Sequence, residues 1–213
     1  MPNWSFNYLI VEGDKDEVSN FQKFVYPKYK NEGRGEEQEV IDFNAILPYP
    51  DEQQRKDLLL HHARNLKHCQ TQKEKEVYYV NENITEDMKK EMLLLNLEDE
   101  DATSFMGWHA VNWGTKWNAC YSKVDNVDEN TLLYRFDTAW SPPIRVFAKM
   151  VDMFPNLTFT ILFGEEGMFF SGRVRVKGKK VYENIQGPYK RNWAYPVKFM
   201  KKYKLTKLMN YIK

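Results

Sequence analysis

Two stretches carry the side chains best suited to chemistry. Asn112–Lys123 (NWGTKWNACYSK) sets Lys116 between Trp113 and Trp117, and Tyr134–Pro143 (YRFDTAWSPP) sets Asp137 three residues before Trp140. Gly114-Thr115-Lys116 has the look of a phosphate loop. It lacks the first glycine of G-x-x-x-x-G-K-[ST] and the hydroxyl after the lysine, so the backbone has no run of N–H groups to turn around an anion. The spacing instead expects Gly114 to end a helix and the two indoles to enter the core. Lys116 then lies over an indole face, a contact of about 0.5–1 kcal/mol when exposed. Asp137 is expected at a strand end, accepting backbone N–H bonds in the following turn, with Ser141 capping a helix whose first position is Pro142.

The remaining candidates fare no better as reactive groups. His61 and His68, like His62 and Cys69, are seven residues apart, about 10 Å along a helix, where a shared zinc would favour i, i+4. His62 and Cys69 share a face with Leu59 and Leu66 and read as packing. Glu165 and Glu166 sit together in a Gly-bounded turn, expected to face water rather than to flank a substrate from opposite sides. His109 is a lone imidazole among tryptophans. The sequence thus points to no catalytic residue, no metal and no cofactor. If an enzyme were hidden here, Asp137, Lys116 and His109 would have to converge in one cleft.

Charge is more informative. The net value of +1 conceals 13 Lys/Arg against the single acid Glu183 from Ser171 onward, leaving 18 basic and 29 acidic side chains in the rest. Arg173, Arg175 and Lys177 alternate with valines, so on a strand they project from one face. Lys179, Lys180, Lys190, Arg191, Lys201, Lys202, Lys204 and Lys207 follow, interleaved with Tyr189, Trp193 and other rings. Cations with interleaved rings suit RNA or single-stranded DNA. They also suit an acidic protein partner, a solvated face, or docking on the chain's own acidic run at 98–101.

The elements that must position these groups follow from periodicity. Residues 3–13 read as a strand and 14–27 as a helix carrying Val18, Phe21 and Val25. Residues 28–37 read as loop, 39–50 as a second extended piece, 51–70 as helix, 77–80 (VYYV) as a short strand, and Thr85 as the cap of a helix with Met88, Met92 and Leu95 inward. A helix ending near Gly114, a hairpin around 125–130, the helix stopped by Pro155 and a second hairpin over 157–180 complete an α+β pattern. Two cysteines, no apolar run near the roughly 20 residues of a membrane span and no leader-like start set the expectation of a cytoplasmic protein without a membrane role.

The stretches MPNWSFNYLIVEG, VIDFNAILPYP, WHAVNWGTKWNACY, FDTAWSPP and FPNLTFTILFGEEGMFFSG resemble the YubB ferredoxin-like domain family of phages and plasmids. The resemblance implies a ferredoxin-like α+β fold, a mainly antiparallel sheet backed by helices, and a mobile-element origin. It brings no catalytic residues. The expected organisation is a ferredoxin-like domain over 1–187 with insertions, followed by a basic aromatic tail over 188–213 that is helical in part. The expected function is non-enzymatic: binding of a host protein or ribonucleoprotein complex, as in inhibition of a CRISPR-type defence, with RNA or single-stranded DNA binding as the alternative.

Overall fold

The strand β1 (Trp4–Glu12) sends Ser5, Asn7, Leu9 and Val11 to one side and Trp4, Phe6, Tyr8 and Ile10 to the other. It is the axis of a six-stranded sheet ordered β2-β3-β1-β4-β5-β6, formed with β2 (Cys120–Asp128), β3 (Thr131–Ala139), β4 (Thr158–Glu165), β5 (Phe170–Lys177) and β6 (Lys180–Pro188). Every neighbouring pair is antiparallel. The computed structural model describes residues 3–28, 39–95, 105–165, 167 and 170–188.

Helix α1 (Lys15–Val25) starts where the Asp14 carboxylate accepts the Asp16 N–H at 2.9 Å, and it buries Val18, Phe21 and Val25. Helix α7 (Ile144–Met153) buries Val146, Phe147, Met150 and Val151. Both lie on the Leu9 side of the sheet. Phe21 meets Tyr134 and Phe159 edge-on at 6.0 and 5.3 Å between centroids, and Phe147 meets Phe159 at 6.4 Å. The short helix α2 (Phe43–Ile46) joins them there through Phe43 against Phe136. The order β1-α1-β2-β3-α7-β4, with strands arranged β2-β3-β1-β4, is the ferredoxin-like split βαβ topology expected from the sequence. The β5–β6 hairpin extends that sheet beyond β4.

The chain divides into two compact units, one from Met1–Pro48 with Asn112–Lys213 and the other Tyr49–Val111. The second unit holds α3 (Asp51–Leu66), α4 (Gln72–Asn81), α5 (Glu86–Leu93) and most of α6 (Phe105–Asn112). Its core gathers Leu59, Ala63, Ile84 and Met92, with Leu66, Tyr79, Met88 and Leu95 partly buried against them. Thr71 and Glu74 form a reciprocal capping box that starts α4, and Thr85 caps α5 as expected.

Several local readings need correction. Val77–Val80 lies inside α4, because the capping box and the run beyond Gln72 favour helix over an isolated two-faced strand. Residues 43–46 are a helical turn, started by the Asp42 carboxylate accepting the Asn44 N–H at 2.9 Å. Ser141 does not cap α7. Its hydroxyl donates to the Gly114 carbonyl, and Pro143 takes the cap position without a side-chain bond. Residues 29–38, the acidic run 98–101 and the tail beyond Pro188 lie outside the described residues.

Two packing features set the sheet's tolerance. A Cβ added at Gly172 would stand 2.1 Å from Phe163 Cζ, so the ring occupies the space a side chain would need. Gly172→Ala is expected to cost about 1–3 kcal/mol in chemical denaturation. Tyr134 is fully buried and its hydroxyl meets no hydrogen-bond partner. Tyr134→Phe retains the Phe21 contact and is expected to stabilise the protein by about 1 kcal/mol in the same measurement.

Candidate functional site

The tryptophan-rich stretches prove to be a joint between loop and sheet. Gly114 has φ +83, a backbone that glycine adopts without penalty. Around it Thr115 Oγ1 donates to the Ala139 carbonyl at 3.0 Å, which laces residues 113–119 to the end of β3. Trp113 is buried, with its ring edge-on to Phe43 at 5.8 Å and Nε1 donating to the Leu47 carbonyl at 2.8 Å. Trp117 stacks obliquely on Trp4 at 5.9 Å. Lys116 Nζ stands 4.6 Å from the Trp140 ring centre, the cation–π contact anticipated from the sequence.

Asp137 is not in a turn. It lies within β3, opposite Phe6 on one side and Cys120 on the other. Burial, and after it the nearby Glu39 carboxylate, push its carboxyl from 3.8 up to about 6. Glu39 itself accepts the Tyr121 and Ser122 N–H groups at 2.8 and 2.6 Å, while Ser122 Oγ accepts the Val40 N–H at 2.7 Å. This reciprocal clamp holds the bulge where β2 begins, at Tyr121 with φ 55. His109 is buried beside Tyr49 and Trp108 in the helical unit. Asp137 and Lys116 thus belong to the sheet-bearing unit, whereas His109 belongs to the helical one. Glu165 is buried in β4 rather than solvated in a turn, and its carboxylate accepts the Gly167 N–H at 2.8 Å. Among the described residues no three His, Cys, Asp or Glu side chains gather as a metal-binding set.

The basic candidates separate into two groups. Arg173, Arg175 and Lys177 do share a face of β5, opposite Leu162, Thr160 and Thr158. Two of them are neutralised: Arg173 pairs with Glu183 at 2.7 Å and Arg175 with Glu12 at 3.3 Å. Lys177, Lys179 and Lys180 remain exposed at the β5–β6 turn, where Gly178 has φ +50. No carboxylate among the described residues pairs with them. Beside them β6 has one extra residue: Val176 faces Val181 and Arg175 faces Glu183, leaving Tyr182 in a bulge. Val181 and Tyr182 are 57% and 51% exposed, and Lys180 Nζ sits 4.8 Å from the Tyr182 ring centre. Sequence reading found the cations but not this grouping. Alternation gives faces, whereas an extra residue in one strand leaves no composition signal. Tyr189, Lys190, Arg191, Trp193, Lys201, Lys202, Lys204 and Lys207 lie outside the described residues.

Fold and site together define an α+β protein of ferredoxin-like topology with an added cationic hairpin. Residues 112–192 match the family model described as the ferredoxin-like domain in Api92-like protein. The crystal structure of the protein api92 from Yersinia pseudotuberculosis is similar in fold, with a TM-score of 0.51 at 10% sequence identity over 89% of this chain and 99% of that one. The ferredoxin-like resemblance carried by the sequence motifs is borne out by both. At that identity the likeness speaks for the fold alone. No curated protein matches the chain.

The Asp137 environment has a consequence for stability. A folded pKa above the ordinary value means that the native state holds this proton more tightly than the unfolded chain. The group costs nothing below about pH 4, costs progressively more as pH rises to about 6, and costs a constant amount above that. Asp137→Asn is therefore expected to raise the melting temperature at pH 7.5, by the equivalent of about 1–2 kcal/mol after allowing for partial exposure, and to change it little at pH 4. Thermal denaturation of both proteins across that range checks it.

Proposed function

We propose that this is a non-enzymatic phage or mobile-element protein acting in the host cytoplasm, where it binds a host macromolecule through the β5–β6 hairpin and the basic residues that follow. The partner is an acidic surface of a host protein or ribonucleoprotein complex, with a CRISPR-type or similar defence complex the expected target. The observation that carries this reading is the hairpin turn. Three lysines without described carboxylate partners surround an exposed valine and a tyrosine lifted out by a bulge. Aromatic anchors with flanking cations are what protein interfaces use for affinity and orientation. The family likeness supports the mobile-element origin. No helix among the described residues is long and apolar enough to cross a membrane.

Nucleic acid is the second reading, favoured by Lys180 over the Tyr182 ring and by the ring-rich cationic residues after Pro188. Against it, Arg173 and Arg175 are already held by carboxylates and would have to exchange them for phosphates.

Capture from a host lysate, with and without nuclease, separates the two. The expected result is a nuclease-resistant partner whose affinity falls about tenfold or more when Lys177, Lys179 and Lys180 are together changed to Glu, and falls again with Tyr182→Ala. Recovery of nothing, or of a partner indifferent to these changes, overturns the reading. For single-stranded nucleic acid, the triple lysine change would instead lower the log–log salt slope of binding by about 2.

A further inference from the structure

Three residues other than glycine hold left-handed backbone among the described residues: Asn83, Tyr121 and Trp140, with φ 54, 55 and 68. Asparagine tolerates that conformation, because its short amide can bond locally, but a bulky side chain is an outlier there. Tyr121 sits in the bulge where β2 begins, a place that suits glycine. Trp140 directly follows β3. Burial does not explain either residue, since Tyr121 is 61% and Trp140 48% exposed. The fold nonetheless fixes both. Glu39 accepts the Tyr121 N–H at 2.8 Å, and the Trp140 N–H donates to the Asn3 carbonyl at 2.9 Å. Glycine or asparagine would suit the backbone better at either position, so the two rings point to a role outside the fold.

Both belong to one corner of the sheet. Trp4 opposes Ala139, the residue before Trp140, and lies with Phe6 and Tyr8 on the sheet's second face, away from α1, α2 and α7. Its ring meets Tyr121 edge-on at 5.6 Å and Trp117 at 5.9 Å. Trp4 and Trp117 are half-buried, which leaves part of each ring open, and Lys116 stands over the Trp140 ring. The carboxylates bonded around this corner serve the frame. Glu39 holds two amides of β2, and Asp42 accepts the Asn44 N–H at 2.9 Å and Asn118 Nδ2 at 2.7 Å. Asp125 pairs with Arg135, and Asp137 is recessed in β3 between Phe6 and Cys120. Lys123, by contrast, is exposed.

We propose that this corner binds single-stranded nucleic acid, with bases stacking on Tyr121 and Trp140 and phosphates passing Lys116 and Lys123. An exposed ring accepts the flat face of any unpaired base, and a lysine beside it answers the phosphate that every base carries along. Carboxylates tied into the frame leave those cations to set the sign of the surface. The rings are also fixed before the ligand arrives, so little order is lost on binding. The corner is distinct from the cationic hairpin. Lys177 lies in the row of Thr158 and Glu12, eight residues along β1 from Trp4, or roughly 26 Å at the rise of a strand. The inference therefore goes beyond partner binding at the hairpin and stands whether or not that binding occurs.

Titration of the intact chain with labelled oligo(dT) tests it, with the oligo(dA)·oligo(dT) duplex as control. The single strand is expected to bind, to quench tryptophan fluorescence and to outcompete the duplex, whose bases already stack on one another. Tyr121→Gly and Trp140→Gly remove a ring and relieve the backbone. Each is expected to weaken binding about tenfold while the melting temperature holds or rises. Tyr121→Asn and Trp140→Asn suit the same backbone and repeat the readout should a glycine variant fail to fold. Changing Lys177, Lys179 and Lys180 together to Glu is expected to alter affinity less than either ring variant does. No binding of the single strand, binding that the ring variants leave unchanged, or binding lost only with the hairpin lysines overturns the proposal. So does a fall in melting temperature in both the glycine and the asparagine variants, because the rings would then serve the fold. Ring variants that lose lysate capture but keep oligo(dT) binding would assign the corner to a protein and overturn it as well.

Discussion

The central strand β1 is hydrogen-bonded along both edges, to β3 from Trp4 to Glu12 and to β4 from Phe6 to Glu12, and this double pairing organises the molecule. A strand held on both sides has its register fixed twice. A slip of one residue would send Leu9 and Val11 to the wrong face and break both ladders at once. Both helices of the βαββαβ frame depend on it, because Phe21 and Phe147 meet the sheet only where Tyr134 and Phe159 are brought alongside β1. The buried Asn7 reinforces the register, with Nδ2 donating to the Ser5 carbonyl and to Thr138 Oγ1.

The charge asymmetry of the sequence acquires a different meaning in the fold. A strongly basic end first reads as one continuous attractor for anions. In the sheet, carboxylates from β1, β2 and β6 take up the arginines of the second face, and the cations left over among the described residues of the hairpin cluster at its turn. The arginines become part of a levelled surface, and the lysines mark a local one. Long-range attraction and local docking are thus assigned to different residues of the same segment.

Much of the frame was legible in the sequence. The alternation of β1, the apolar spacing of Val18, Phe21 and Val25 and the two later hairpins identify the α+β class without any coordinates. What escaped has physical causes. Val77–Val80 looks like a strand because β-branched and aromatic residues dominate it, yet the capping box of Thr71 and Glu74 just upstream commits the backbone to helix. Asp137 and Ser141 looked like turn and cap residues because the preferences of their residue types are local. Their positions are set by β1 and by Gly114, far away in sequence. The clamp of Glu39 on β2 joins residues 82 and 83 positions apart. Of the candidate site, the identities of the cations were readable, whereas their division into paired and unpaired was not.

The bulge at Tyr182 bears on how this protein survives at high concentration. β6 is the last strand of the described sheet, and a straight margin of free amide and carbonyl groups would template the addition of further chains, edge upon edge. An extra residue interrupts the ladder spacing near the start of the strand, the adjoining Lys179 and Lys180 repel an identical neighbour, and Pro188 withholds an amide at the far end. The same distortion that lifts a tyrosine into solvent therefore guards the sheet against fibrous self-association.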